Sequence, residues 1–176
     1  GCGFVGVKVQ YFDVVRQSEA EKEWGLKYLF PEELLSSSDI ISYHLPKTSF
    51  THHLINRNSL RKMRPDALLI NSSRGYIQDE NAIVEALNSG QISGAGLDVF
   101  EVEPLPENSP LRKLENVVLT PHSAPDNESL ILAVRNALDN LLRVSNGNEP
   151  QSIAVDHEEL TRQFLERFPE VKLTAS

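Results

Sequence analysis

The chain has 176 residues, 40% of them hydrophobic and 24% charged, enough for one well-packed domain and too few for two large ones. Its 17 basic and 25 acidic residues leave a net charge of -8, a field that repels phosphate backbones and anionic lipid surfaces, so no nucleic-acid or membrane partner is expected. The single cysteine, Cys2, can form no intramolecular disulfide, and no stretch has the apolar run of a signal peptide or membrane span, which points to a reducing, cytoplasmic setting.

The first motif is Gly1-Cys2-Gly3-Phe4-Val5-Gly6, a match to G-x-G-x-x-G, in which glycines let backbone approach a pyrophosphate at a helix N-terminus. The strand-like Val7 to Phe12 follows at once, and Asp13 comes only seven residues after Gly6, which leaves no room for a crossover helix. These residues alone fit either a dinucleotide turn with its helix excised and Asp13 as the ribose acid, or a glycine-rich turn feeding an edge strand.

Further strand runs are Asp39 to Leu45, Ala67 to Asn71, Ala95 to Phe100 and Asn116 to Thr120. Their nearly continuous apolar character suits a parallel sheet with helices on its faces, so the expected class is α/β, with strands ending at Phe12, His44, Asn71, Asp98 and Thr120. A helix is expected from Asp79 to Asn88, with Ala82, Ile83, Ala86 and Leu87 on one face, Asp79 as its cap and Gly90 past its end. A longer one begins after Asp126 and carries Leu130, Val134, Ala137, Leu138 and Leu141 on a stripe that stops near Gly147. Residues 1–147 read as the domain and 148–176 as a linker and tail. The weak helical pattern through Leu160, Phe164 and Phe168 predicts a loosely held end.

Three polar residues follow strand ends: Arg74 after Asn71-Ser72-Ser73, Glu103 in the loop after Asp98, and His122 after Thr120-Pro121. A parallel sheet brings such positions to one edge, where open α/β folds bind ligands. There an arginine can grip a carboxylate and a histidine can exchange a proton near neutral pH. Taken singly, each is as well explained by a surface ion pair, a solvated loop acid or a structural histidine. A hydrolase triad of Ser72 or Ser73 with Asp98 and His122 lacks the G-x-S-x-G elbow, and the histidines show no metal-ligand spacing.

Four motifs in order carry a resemblance: His44-Leu45-Pro46-Lys47-Thr48, Leu69-Ile70-Asn71-Ser72-Ser73-Arg74-Gly75, the run from Gly94 through Asp98 and Glu103 to Pro104, and Leu119-Thr120-Pro121-His122. Together they resemble the nucleotide-binding domain of the D-isomer-specific 2-hydroxyacid dehydrogenases. The resemblance implies a Rossmann-type, doubly wound parallel sheet, here without its first strand and first helix and without the family's substrate domain. It further implies an NAD-dependent oxidoreductase acting on a small 2-oxo or 2-hydroxy acid, and a homodimer. By the same resemblance Arg74 binds and polarises the 2-oxo acid, His122 is the acid/base and Glu103 holds His122. Cofactor contacts are implied for Gly1, Gly3, Gly6, Asp13, His44, Pro46, Thr48, Ser72 and Asp98. Asp13 favours NAD over a 2'-phosphorylated cofactor, with Arg16 nearby as the complicating charge. The chain alone is expected to bind NAD poorly and to be inactive. The competing expectation is a non-catalytic, dinucleotide-sensing or partner-binding relative, as in the corepressor branch of the family.

Overall fold

Alternating short apolar runs and amphipathic stretches give alternating strands and helices in the computed structural model, which describes residues 7–123, 127–151, 156–171 and 173. The order is β1 (Gln10–Tyr11), α1 (Ser18–Trp24), β2 (Lys27–Tyr28), α2 (Pro31–Ser37), β3 (Ile40–Tyr43), α3 (Arg57–Lys62), β4 (Leu68–Asn71), α4 (Glu80–Asn88), β5 (Gly94–Leu97), β6 (Val117–Leu119), α5 (Asn127–Ser145) and α6 (His157–Arg167). Gly1, Gly3 and Gly6, expected at the pyrophosphate, lie outside the described residues.

Every ladder is parallel: β1 pairs with β2, and β3-β4-β5-β6 form a second sheet in chain order with Ile41, Leu69, Ala95 and Val117 in register. The expected α/β class and strand ends hold to within a residue, with Tyr11, Tyr43, Asn71, Leu97 and Leu119 as the last residues. One sheet face packs Leu69, Ala95 and Leu97 against Leu60 of α3 and Ile83, Ala86 and Leu87 of α4, all buried. Each such leucine or isoleucine contributes roughly 1.5–3 kcal/mol by leaving water. On the other face Ile40, Leu68 and Val118 are exposed. The unbroken apolar runs therefore record two apolar faces, of which one is covered by α3 and α4.

Local chemistry sets the boundaries. Asp79 caps α4, its carboxylate accepting the Ala82 N–H at 3.0 Å, and Gly90 takes φ 71° beyond the helix end, both as expected. The elements not foreseen are short: α3 rests on a reciprocal capping box between Asn56 and Ser59. The serine run closes α2, with the Ser37 and Ser38 hydroxyls donating to the carbonyls of Glu33 and Leu34 at 2.6 and 2.7 Å.

The chain divides into two compact units, one of residues up to Pro121 together with His157 onward, the other His122–Asp156. In the first, α6 corrects the expectation of a loosely held tail. Phe164 is buried with its ring 5.5 Å from Phe12, Phe168 lies 5.8 Å from Phe30, and Glu158 accepts the Ser49 N–H at 3.0 Å. Aromatic rings give a short helix more buried area than its count of apolar residues suggests. In the second unit, Gly147 at φ 75° ends α5, and the Arg143 Nε donates to the Glu149 carbonyl at 2.9 Å.

Candidate functional site

Parallel pairing places the loops after β3, β4 and β5 at one edge of the larger sheet. The loop after β4 is organised from beneath by Asn71, the last strand residue and fully buried. Its Oδ1 accepts the Ser73 N–H at 3.1 Å and the Ser73 hydroxyl at 2.9 Å. Its Nδ2 donates to the Arg74 carbonyl at 3.2 Å and to Gln78 Oε1 at 2.7 Å. The backbone of Arg74 is thus fixed by a buried amide while its side chain is exposed, Nη1 donating to the Ser73 carbonyl at 2.6 Å. Gly75 is buried, and a β-carbon there would lie 1.9 Å from the Phe100 carbonyl oxygen, so only glycine fits.

The loop after β5 carries Asp98 and Glu103. The Asp98 N–H donates to the Asn71 carbonyl at 3.0 Å, and its Oδ1 accepts the Thr120 hydroxyl, which ties β4, β5 and the end of β6 together. Glu103 turns back on its own loop to accept the Phe100 N–H at 2.9 Å, and the Glu103–Pro104 peptide is cis. Beside it Glu80 and Glu101 accept each other's backbone N–H at 2.7 and 2.8 Å. Burial pushes the Glu80 carboxyl above its usual range, and the Glu101 charge adds to this.

After β3, the His44 ring shares a 2.8 Å hydrogen bond with Ser42, and Thr51 donates to the Pro46 carbonyl at 2.8 Å. Thr48 is buried within this turn, its N–H donating to the Thr51 hydroxyl at 2.9 Å, and Ser72 is exposed in the next loop. Asp13 follows β1 of the smaller sheet, its Oδ1 accepting the Val15 N–H at 2.9 Å. Arg16 is engaged in a fork on Glu21, with Nε and Nη2 each 2.8 Å from a carboxylate oxygen, and it lies over the Tyr28 ring. These bonds and the Tyr11 hydroxyl hold the Glu21 carboxyl down at about 2. His122, in the second unit, is exposed and takes φ 46°, a left-handed conformation that histidine adopts more readily than most residues.

The structure therefore joins the loops of Arg74, Asp98 and Glu103 by backbone contact and hydrogen bonds and sets His44, Pro46, Thr48 and Ser72 along the same edge. Gln78, fully buried, was not foreseen as a site residue, and neither was a supporting role for Asn71. An asparagine ending an apolar strand is a usable signal, whereas Gln78 carries none. Among the described residues no cluster of three or more His, Cys, Asp or Glu is arranged to hold a metal, and no helix is long and apolar enough to cross a membrane.

Residues 2–124 match the family model of the D-isomer specific 2-hydroxyacid dehydrogenase, NAD binding domain. A glyoxylate reductase of Korarchaeum cryptofilum is 43% identical over 149 residues, 84% of this chain and 45% of the relative. One from Thermofilum pendens is 43% identical over 169 residues, 92% of this chain and 48% of the relative. The chain thus spans about half the length of the curated relatives it matches. Among solved structures, the NAD-complexed D-isomer specific 2-hydroxyacid dehydrogenase of Lactobacillus delbrueckii ssp. bulgaricus superposes with a TM-score of 0.74 at 35% identity, over 85% of this chain and 49% of that one. A probable 2-hydroxyacid dehydrogenase of Rhizobium etli in complex with NADP gives 0.74 at 32% identity, over 86% and 49%.

Proposed function

The chain belongs to the D-isomer specific 2-hydroxyacid dehydrogenases through their NAD-binding domain, and on that premise we propose that it supplies the cofactor-side catalytic groups of an oxidoreductase acting on the CH–OH group of a D-2-hydroxy acid. The observation that carries this reading is the tied pair of loops after β4 and β5, which presents Arg74, Asp98 and Glu103 at one sheet edge. Bound NADH supplies the hydride for the carbonyl carbon of a small 2-oxo acid. Arg74 holds the substrate carboxylate and stabilises the developing oxyanion, and His122 gives its proton to the carbonyl oxygen. Glu103 orients His122, and Asp98 lies toward the nicotinamide end.

Asp13 accepts hydrogen bonds from the adenosine ribose and disfavours a 2'-phosphate. The fork of Arg16 on Glu21 supports NAD over NADP, because this cation, three residues from Asp13, is already ion-paired. We extend the proposal to residues 1–147 as the cofactor domain, with 148–176 as a linker and a C-terminal segment whose helix α6 packs on Phe12 and Phe30, and to a cytoplasmic homodimer.

The test is made on a form that carries a substrate domain, with the N-terminal half of the Thermofilum pendens relative joined at Val7 serving as one source. Oxidation of NADH in the presence of glyoxylate is followed optically. Turnover that disappears in Arg74→Ala supports the reading. A folded, NADH-binding chimera that reduces no 2-oxo acid overturns it in favour of a non-catalytic dinucleotide sensor.

A further inference from the structure

A file of amides runs head to tail under the site. The Ser73 N–H donates to Asn71 Oδ1 at 3.1 Å, Asn71 Nδ2 donates to Gln78 Oε1 at 2.7 Å, and Gln78 Nε2 donates to the Val99 carbonyl at 2.9 Å. The Val99–Phe100 peptide continues the file, because the N–H on its other side is that of Phe100, which donates to Glu103 Oε1 at 2.9 Å. Asn71, Gln78 and Val99 are fully buried.

The direction of this file is forced. The Ser73 N–H can only donate, so Asn71 turns its oxygen toward it and its nitrogen toward Gln78. The Val99 carbonyl can only accept, so Gln78 must meet it with nitrogen. Each amide dipole points its positive end at the next group, and the last points at a carboxylate. Hydrogen bonds aligned in this way polarise one another, and away from water they act at a lower dielectric constant. Asn71 also accepts the Ser73 hydroxyl and donates to the Arg74 carbonyl, within the β4 loop.

We infer that Asn71 and Gln78 are positioning residues that aim the Glu103 carboxylate and couple its placement to the turn that carries Arg74. This rests on the roles proposed above for Arg74 and Glu103. The alternative is that the two side chains satisfy buried backbone groups and nothing more. The two accounts differ in reach. A local role confines the effect of a substitution to the groups touching it, while a relay carries it through the Val99–Phe100 peptide to Glu103, and from Glu103 back to Asn71.

The experiment records amide and side-chain NH2 spectra of the 176-residue chain, with no cofactor or substrate, so it stands apart from the assay of turnover. Glu103→Gln alters an exposed loop residue and leaves the core untouched. With the anionic acceptor gone, the proton resonances of Phe100 N–H and of the Gln78 and Asn71 side-chain amides are expected to move upfield together, in decreasing order along the file. In the reverse direction, Gln78→Met keeps the side-chain length and removes both hydrogen bonds. It is expected to move the Phe100 amide and the Glu103 side-chain carboxyl carbon. Movement of Phe100 alone in Glu103→Gln, with Gln78 and Asn71 unchanged, overturns the relay, and this arm decides even if Gln78→Met fails to fold.

Discussion

The α-carbon of Gly75 lies against the carbonyl of Phe100, so close that a β-carbon would come within 1.9 Å of the oxygen and 2.1 Å of the carbonyl carbon. Both contacts are with backbone, so no side-chain rotation relieves them. Gly75→Ala is therefore expected to force the β4 and β5 loops apart, at a cost of about 1–3 kcal/mol or more. In a chain of this size that lowers the melting temperature by roughly 2–4 °C per kcal/mol. Because Arg74 precedes Gly75 and Glu103 is held on Phe100, activity in a form with a substrate domain falls further than stability accounts for. A variant that melts and turns over like the parent shows that the loops are not locked together at this point.

The catalytic assignments predict a graded series in a form with a substrate domain. His122→Ala and Arg74→Ala each reduce kcat/KM for 2-oxo acid reduction by about 10²–10⁴. Glu103→Gln acts differently. Without the carboxylate His122 loses the group proposed to orient it, so kcat falls while KM for the 2-oxo acid, which Arg74 holds, changes less. A kcat of Glu103→Gln equal to the parent's refutes the assigned role.

Much of this edge was legible in the sequence, because residues that follow buried parallel strands must share an edge. Arg74, Asp98 and Glu103 are such residues, and their loops are where that rule puts them. Periodicity also sufficed for α4, which has a long buried face and an aspartate cap. It failed where a few atoms decide the outcome. The helix α3 stands on the Asn56–Ser59 capping box and β2 is two residues long, while α6, whose helical pattern was legible, is held in place by ring contacts with residues more than a hundred positions away. Gln78 was invisible for the same reason: its neighbours in sequence say nothing of Val99, to which it is bonded.

Glu21 provides a pH-dependent test of the smaller sheet. Its folded pKa of about 2 lies below the ordinary value of 4.5, so the stabilisation is present above pH 4.5 and is lost as pH falls toward about 2. Glu21→Gln removes the Arg16 ion pair, and parent and variant melting curves should differ near neutral pH and converge as acid is added across that window. A gap that persists unchanged through the window shows that the fork contributes nothing through charge. Glu80 has the opposite sign. Burial raises its pKa, so its ionised form opposes folding above the ordinary carboxylate range, and Glu80→Gln is expected to melt higher than the parent near neutral pH.

Cofactor affinity tests the glycine turn. A dinucleotide pyrophosphate needs both the close backbone of glycines and the N-terminus of a following helix, whose aligned N–H groups carry about half a positive charge. Here β1 begins at Gln10, four positions after Gly6, and the first described helix starts only at Ser18, beyond Asp13. The isolated 176-residue chain is therefore expected to bind NADH weakly and to turn over nothing measurable. Trp24, exposed at the end of α1, provides the signal through energy transfer to the bound nicotinamide. Weak binding that strengthens when a helix of about a dozen residues is inserted between Gly6 and Val7 locates the deficit in the pyrophosphate site. Micromolar affinity of the chain as it stands would show that another set of backbone N–H groups holds the phosphates. The glycine turn would then have to be read as a simple entry to β1.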